Sequence, residues 1–275
     1  MTKPLQHAVP SALAFMCIVA IGSVHAAVPA PFVVPDEINM PSGPDGAAIT
    51  LGKKLITDTK KQLPNNVGNG LNCSNCHLGA GTVALAGPFV GLWGVFPEYR
   101  TRGGSIDSLQ ERINDCFVRS MNGKALVWDS TEMNAILMYI HWLSTGVPVG
   151  TAVAGRGMGK VDTALIADAV RGKQVYAEKC AVCHGTNGAG TRNPAGGYTF
   201  PPVWGSASFN IGAGLARTYT AAAFIKHNMP LGQGGSLSDQ DAIDVAEFMT
   251  HQPRPAFVAA RNDYAKGSKP KDARN

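Results

Sequence analysis

Two short stretches decide the reading of this chain: Cys73-Ser74-Asn75-Cys76-His77 and Cys180-Ala181-Val182-Cys183-His184. Each has two thiols three residues apart, followed at once by a histidine, which is the attachment pattern of a c-type haem. On a helical turn the two thiols can reach the two vinyl groups of one porphyrin. The adjacent imidazole then meets the iron from the same side. A zinc site needs its four ligands in one place, and these clusters lie more than a hundred residues apart. The pair of motifs therefore predicts two covalently bound haem c groups and electron transfer.

Working outward, the chain reads as a tandem repeat. A shift of 107 residues carries His77 onto His184 and Ala135-Ile136 onto Ala242-Ile243. Each Ala-Ile pair sits early in a helix behind a capping signal, Ser130-Thr131-Glu132 in one copy and Ser238-Asp239 in the other. The first of these helices, expected over 131–145, carries Met133, Ile136, Leu137, Ile140 and Leu143 on one stripe, with Gly146 to end it. Gly52-Lys53-Lys54 and Gly172-Lys173-Gln174 open comparable segments upstream of the two motifs. No strand-like alternation of useful length is present. The plan resembles the small all-α class I cytochrome c fold used twice. We expect an N-terminal cytochrome c domain over 27–150, a glycine-rich linker at 151–160 and a C-terminal domain over 161–255. The polar, basic residues 256–275 are expected to form a solvated tail.

The N-terminus reads as an export signal over 1–26. Lys3 and His7 precede the apolar run Ser11 to Val24, and Val24-His25-Ala26 supplies small residues for cleavage after Ala26 or Ala27. Cys17 lies inside the apolar run, behind Met16, which is too large for a lipoprotein junction. No later stretch is a membrane span. The mature chain is expected in the periplasm, an oxidising compartment. A formal net charge of +5, without basic runs interleaved with aromatics, excludes nucleic acid as the natural partner. Hydrophobic residues make up 45% and charged residues 16%, which suits a folded core.

A haem's second axial ligand decides whether it only carries electrons or also does chemistry. In the second module Met229-Pro230 lies 45 residues after His184 and is the expected distal ligand. Lys226 and His227 are its rivals, and Met249 reads as core. In the first module the candidates are Met121 and the odd cysteine, Cys116. Ile106, Leu109, Ile113 and Phe117 give the segment 106–120 helical periodicity, and on that helix Arg112, Cys116 and Ser120 share a face. Arg119 lies beside the line, and Arg100 and Arg102 precede it around Gly103-Gly104. Arginine lowers a neighbouring thiol's pKa and grips oxyanions. A plain surface charge pattern of Glu111, Asp115 and Arg119 is the competing reading.

The segment Ile113-Asn114-Asp115-Cys116-Phe117-Val118-Arg119-Ser120-Met121-Asn122-Gly123 resembles the dihaem thiosulfate dehydrogenases. So do Leu71-Asn72-Cys73-Ser74-Asn75-Cys76-His77-Leu78 and Phe224-Ile225-Lys226-His227-Asn228-Met229-Pro230, and the resemblance spans about residues 40 to 255. It implies an enzyme that couples two thiosulfates into tetrathionate, in some members reversibly. The electrons would pass from the first haem to the second and on to an external acceptor such as a small cytochrome or a blue-copper-like protein. It further implies His77 and Cys116 as ligands of the first haem and His184 and Met229 of the second. Arg102, Arg112 and Ser120 carry over as substrate-side residues. Cys116 either leaves the iron to form a transient sulfur adduct or stays as a ligand that tunes the potential. Two other readings remain open: a dihaem electron carrier with His/Met ligation at both irons, Met121 serving the first, and a haem subunit of a sulfur-oxidising complex with a dedicated partner chain.

Overall fold

The computed structural model describes residues 29–274. The export signal expected over 1–26, Cys17 included, lies outside them. Among the described residues no helix is long and apolar enough to cross a membrane.

The first half contains α1 (Gly43–Thr57), α2 (Thr59–Gln62), α3 (Leu78–Gly81), α4 (Leu109–Arg119) and α5 (Thr131–Leu143). The second contains α6 (Ala169–Lys179), α7 (Ala181–His184), α8 (Thr218–Asn228) and α9 (Asp239–Thr250). Two antiparallel pairs, β1 (Glu98–Arg100) with β2 (Ser105–Asp107) and β3 (Thr191–Arg192) with β4 (Tyr198–Phe200), are too short to leave an alternating pattern in the sequence. Ile106 consequently sits in β2, exposed, and α4 starts three residues later than its periodicity suggested. The start is fixed by a capping box: Glu111 N donates to Ser108 Oγ at 3.2 Å, and Ser108 N donates to Glu111 Oε2 at 2.6 Å.

Each half is built on one packed helix pair, α1 on α5 and α6 on α9. The equivalent glycines Gly52 and Gly172 explain how close the pairs come. A Cβ on Gly52 would lie 2.0 Å from the Ala135 carbonyl oxygen, and one on Gly172 would lie 1.9 Å from that of Asp244. Backbone meets backbone there, and only glycine leaves room. The stripe expected on α5 is buried throughout: Met133, Ile136, Leu137, Ile140 and Leu143 all face the core. Each such side chain removed from water contributes about 1.5–3 kcal/mol. Ser130 and Ser238 cap α5 and α9 as expected, accepting from Met133 N and Asp241 N.

The halves interlock. Residues 207–217 of the second half lie against the end of α4, and Phe209, Ala213 and Ala216 belong to the core of the first half. Asn69 Nδ2 donates to the carbonyls of Ser120 (2.8 Å) and Ser208 (3.1 Å), and Asn210 Nδ2 donates to that of Val118 (2.9 Å). The linker is bonded too. Leu85 N donates to Gly155 O and Gly87 N to Gly157 O, while Arg156 pairs with Glu98.

The residues after Pro255, expected as a solvated tail, run back across both halves. Arg119 and Asp263 form a two-pronged ion pair at 2.7 and 2.8 Å, and Tyr264 N donates to Arg102 O at 2.8 Å. Asp272 pairs with Arg217 at 3.1 Å, and Lys271 stacks on Tyr219. Composition suggested solvation because the segment is polar. Its two acidic residues instead pair with arginines far away in sequence.

Candidate haem and substrate site

Both histidines of the attachment motifs are held in the same way. His77 Nδ1 is 2.5 Å from the Gly87 carbonyl, and His184 Nδ1 is 2.8 Å from the Pro201 carbonyl. A carbonyl acceptor places the proton on Nδ1 and leaves Nε2 with its lone pair free for a metal. A tyrosine anchors the turn next to each: Tyr139 OH donates to Ala80 O, Tyr176 OH to Gly185 O. Phe89 packs on the His77 ring at 4.5 Å between centroids.

Each motif opens on a cavity, of about 100 Å³ in the first and about 300 Å³ in the second. The first is lined by Cys73, Cys76 and His77 on one side and by Arg112, Cys116, Ser120 and Met121 on the other, with apolar walls from Ile56, Leu71, Phe89 and Ile136. The second is lined by Cys180, Cys183 and His184 facing Met229, with Tyr176, Phe224, Ile225 and Val245 around them. The five cysteines of the described residues are all free thiols. An apolar slot, two thiols at its rim and an imidazole with a free Nε2 fit a covalently held porphyrin in both places. Leu71, Cys76, Phe209 and Leu215 line both cavities, so one layer of side chains separates them.

On α4 the side chains that sequence spacing aligned do converge. Arg112 Nη1 donates to Cys116 Sγ at 2.9 Å inside the first cavity, and Ser120 lines the same wall one turn on. Burial alone would push the Cys116 thiol up, but the Arg112 guanidinium and His77 outweigh it and bring the pKa down to about 7. Cys73 and Cys76, buried without such a cation, are pushed up to about 12. Arg112 is in turn held more strongly protonated by Cys116.

Arg102 stands one step back. It does not line the cavity; it pairs with Asp115 and donates to Gly212 O at 3.3 Å. Arg119 grips the other oxygen of Asp115 at 2.5 Å and continues to Asp263. Asp115 and Arg119 are therefore a half-buried relay and not a surface pattern, with side chains 24% and 12% exposed. Burial opposes ionisation of Asp115, and Arg102 and Arg119 together hold its carboxyl below the usual range. Sequence reasoning missed Asp263, which has no local signal because its partner lies 144 residues away. Arg100 turns aside to Glu98.

In the second half the rivals of Met229 are engaged elsewhere. Lys226 Nζ donates to Leu237 O, and His227 Nε2 lies 3.1 Å from Lys160 O. Met249 is buried in the core and also borders the cavity. Met121 is buried at the wall of the first cavity beside Cys116.

Two helical domains, each presenting two thiols and a histidine to an apolar slot, define a dihaem c-type cytochrome with two haem c groups. The chain is 51% identical over 241 residues to the thiosulfate dehydrogenase of Psychrobacter arcticus, covering 88% of this chain and 74% of that one. It is 46% identical over 260 residues to the thiosulfate dehydrogenase of Allochromatium vinosum, covering 92% and 96%. It belongs to the thiosulfate dehydrogenase family of oxidoreductases. Residues 64–149 match the SoxA/TsdA cytochrome c domain family, and residues 169–253 the cytochrome c family. Among solved structures it is similar to the thiosulfate dehydrogenase TsdBA of Marichromatium purpuratum, with a TM-score of 0.78 and 40% identity. That match covers 82% of this chain and half of the longer TsdBA chain.

Proposed function

We propose that this protein joins two thiosulfate ions into one tetrathionate, with release of two electrons to an external acceptor. The observation that carries the reading is the Arg112–Cys116 pair at 2.9 Å, set across the first cavity from His77. The electron count closes without protons: each thiosulfate dianion gives up one electron, and a sulfur–sulfur bond forms between the two outer sulfurs.

When bound, the two haems supply one-electron acceptors, one in each cavity. The rest falls to the chain's own residues. Arg112 binds the sulfonate oxygens by charge-assisted hydrogen bonds, and Ser120 offers a further donor on the same wall. Arg102, fixed by Asp115, adds positive field at the edge of the site. Cys116, favoured as thiolate by Arg112, would meet the outer sulfur of the substrate, and with His77 would hold the first haem. Apolar walls from Ile56, Phe89 and Ile136 exclude water and strengthen each of these contacts. His184 and Met229 would hold the second haem, whose ferrous state a soft thioether would favour. Export to the periplasm fits the covalent attachment of haem and an acceptor of the small cytochrome or blue-copper kind.

The test is turnover of thiosulfate by the haem-loaded protein with ferricyanide as acceptor and tetrathionate quantified. Cys116→Ser should retain both haems and lose turnover by roughly 10³-fold or more, the scale expected when a reacting group is removed. Substantial activity in that variant would remove Cys116 from the chemistry. It would leave a dihaem electron carrier with Met121 on the first iron.

A further inference from the structure

Arg254 follows α9, and its surroundings are unusual for a cation. Its guanidinium lies 4.4 Å from the centroid of the Phe209 ring, which lines both cavities. Nη2 donates to Met249 O at 2.9 Å and to Val203 O at 3.4 Å, and Nη1 to Phe209 O at 3.4 Å. Nε is buried and has no hydrogen-bond partner among the described residues. Among the described residues no carboxylate lies within ion-pairing distance of it. Two other arginines of this half are paired with carboxylates, Arg171 with Asp241 and Asp244 and Arg217 with Asp272, while Arg192, which stacks on Tyr198, is exposed. Burial pushes the Arg254 pKa down to about 10, with Arg274 adding to the shift.

A half-buried cation left with carbonyls, two of its three bonds long, is stabilised when an anion joins it. Val203 and Met249, whose carbonyls hold the guanidinium, both line the second cavity. The group that fills that cavity carries propionate carboxylates. We propose that Arg254 is the counter-ion of a propionate of the second haem and, through its charge, raises that haem's reduction potential.

The sign follows from charge. A nearby cation favours the ferrous form, which carries one positive charge less, and its removal also leaves the propionate uncompensated. Both effects lower the potential.

The experiment uses the full-length holoprotein as wild type, Arg254→Gln and Arg254→Lys. Redox titration is followed through the separate ferric resonances of the two haems, and the propionate bending band by resonance Raman. Arg254→Gln should move the equilibrium of electron sharing between the haems about tenfold toward the first, equivalent to ~59 mV for one electron. Arg254→Lys should keep most of the potential and shift the propionate band. An unchanged second-haem potential in Arg254→Gln, or a change confined to the first haem, would overturn the assignment. So would a lysine variant as low in potential as the glutamine one, because the effect would then come from packing on Phe209. Should the glutamine variant not fold, an unshifted propionate band in Arg254→Lys decides against the proposal and a shifted band decides for it.

Discussion

At the scale of single residues, the odd thiol is the unusual feature. Cys116 sits beside an arginine at the wall of a cavity, with its pKa brought down to about 7. The four attachment cysteines share its burial but not its cation. Arg112 should therefore act on substrate and thiol together. Arg112→Gln removes a charge-assisted hydrogen bond of about 1.5–3 kcal/mol. It should lower kcat/KM for thiosulfate by roughly 10- to 100-fold. Haem content and the spectrum of the second haem should stay as in the wild type. Steady-state kinetics that matched the wild type would assign Arg112 a structural role only.

Among the elements, the helix pairs set the tolerance of the fold. Gly52 and Gly172 are separated from their partner helices by less than one methyl group, and the opposing atoms are backbone carbonyls that cannot rotate away. Gly52→Ala and Gly172→Ala should each destabilise by about 1–3 kcal/mol, toward the upper end of overpacking costs. In contrast, Gly146→Ala meets no atom within 4 Å and is opposed only by its φ of +79°. Denaturant melts of the three variants would check the order. Equal stability in all three would show that the helices can slide apart without cost. The short strands belong to this scale too. β1 and β2 turn the chain so that Arg102 approaches Asp115 from outside α4, a contact that helical periodicity alone could not anticipate.

For the whole molecule, the two halves do not act as beads on a linker. Phe209, Ala213 and Ala216 complete the first core from the second half, and one layer of side chains divides the two cavities. That closeness suits rapid electron passage between the two haems. The C-terminal segment closes the assembly by joining α4 through Asp263 and α8 through Asp272. Asp263→Asn should break the two-pronged contact with Arg119, at a cost of about 2 kcal/mol. Tm should fall by roughly 4–8 °C for a chain of this size. The loss should be smaller in an Arg119→Lys background, where the fork is already gone. A Tm insensitive to Asp263 would mean that the strap holds nothing together.

Sequence by itself determined the covalent chemistry and the repeat. Spacing within Cys-x-x-Cys-His is local, so a single helical turn realises it, and the 107-residue shift exposed two copies without reference to any contact. The stripe on α5, the serine caps and the alignment of Arg112, Cys116 and Ser120 were legible for the same reason: helical geometry fixes which residues share a face. What only the tertiary structure decided depends on partners distant in the chain. Gly87 and Pro201 orient the two histidines through backbone carbonyls, which carry no side-chain signal. Whether Asp115 and Arg119 were plain surface charges stayed open in the sequence, because Asp263, which pairs with Arg119, lies 144 residues away. Arg254 carries no signal in the sequence, and only folding places it against Phe209 with no carboxylate partner among the described residues. A sequence lists its charges, but desolvation and long-range pairing, which decide what those charges do, exist only once the chain has closed on itself.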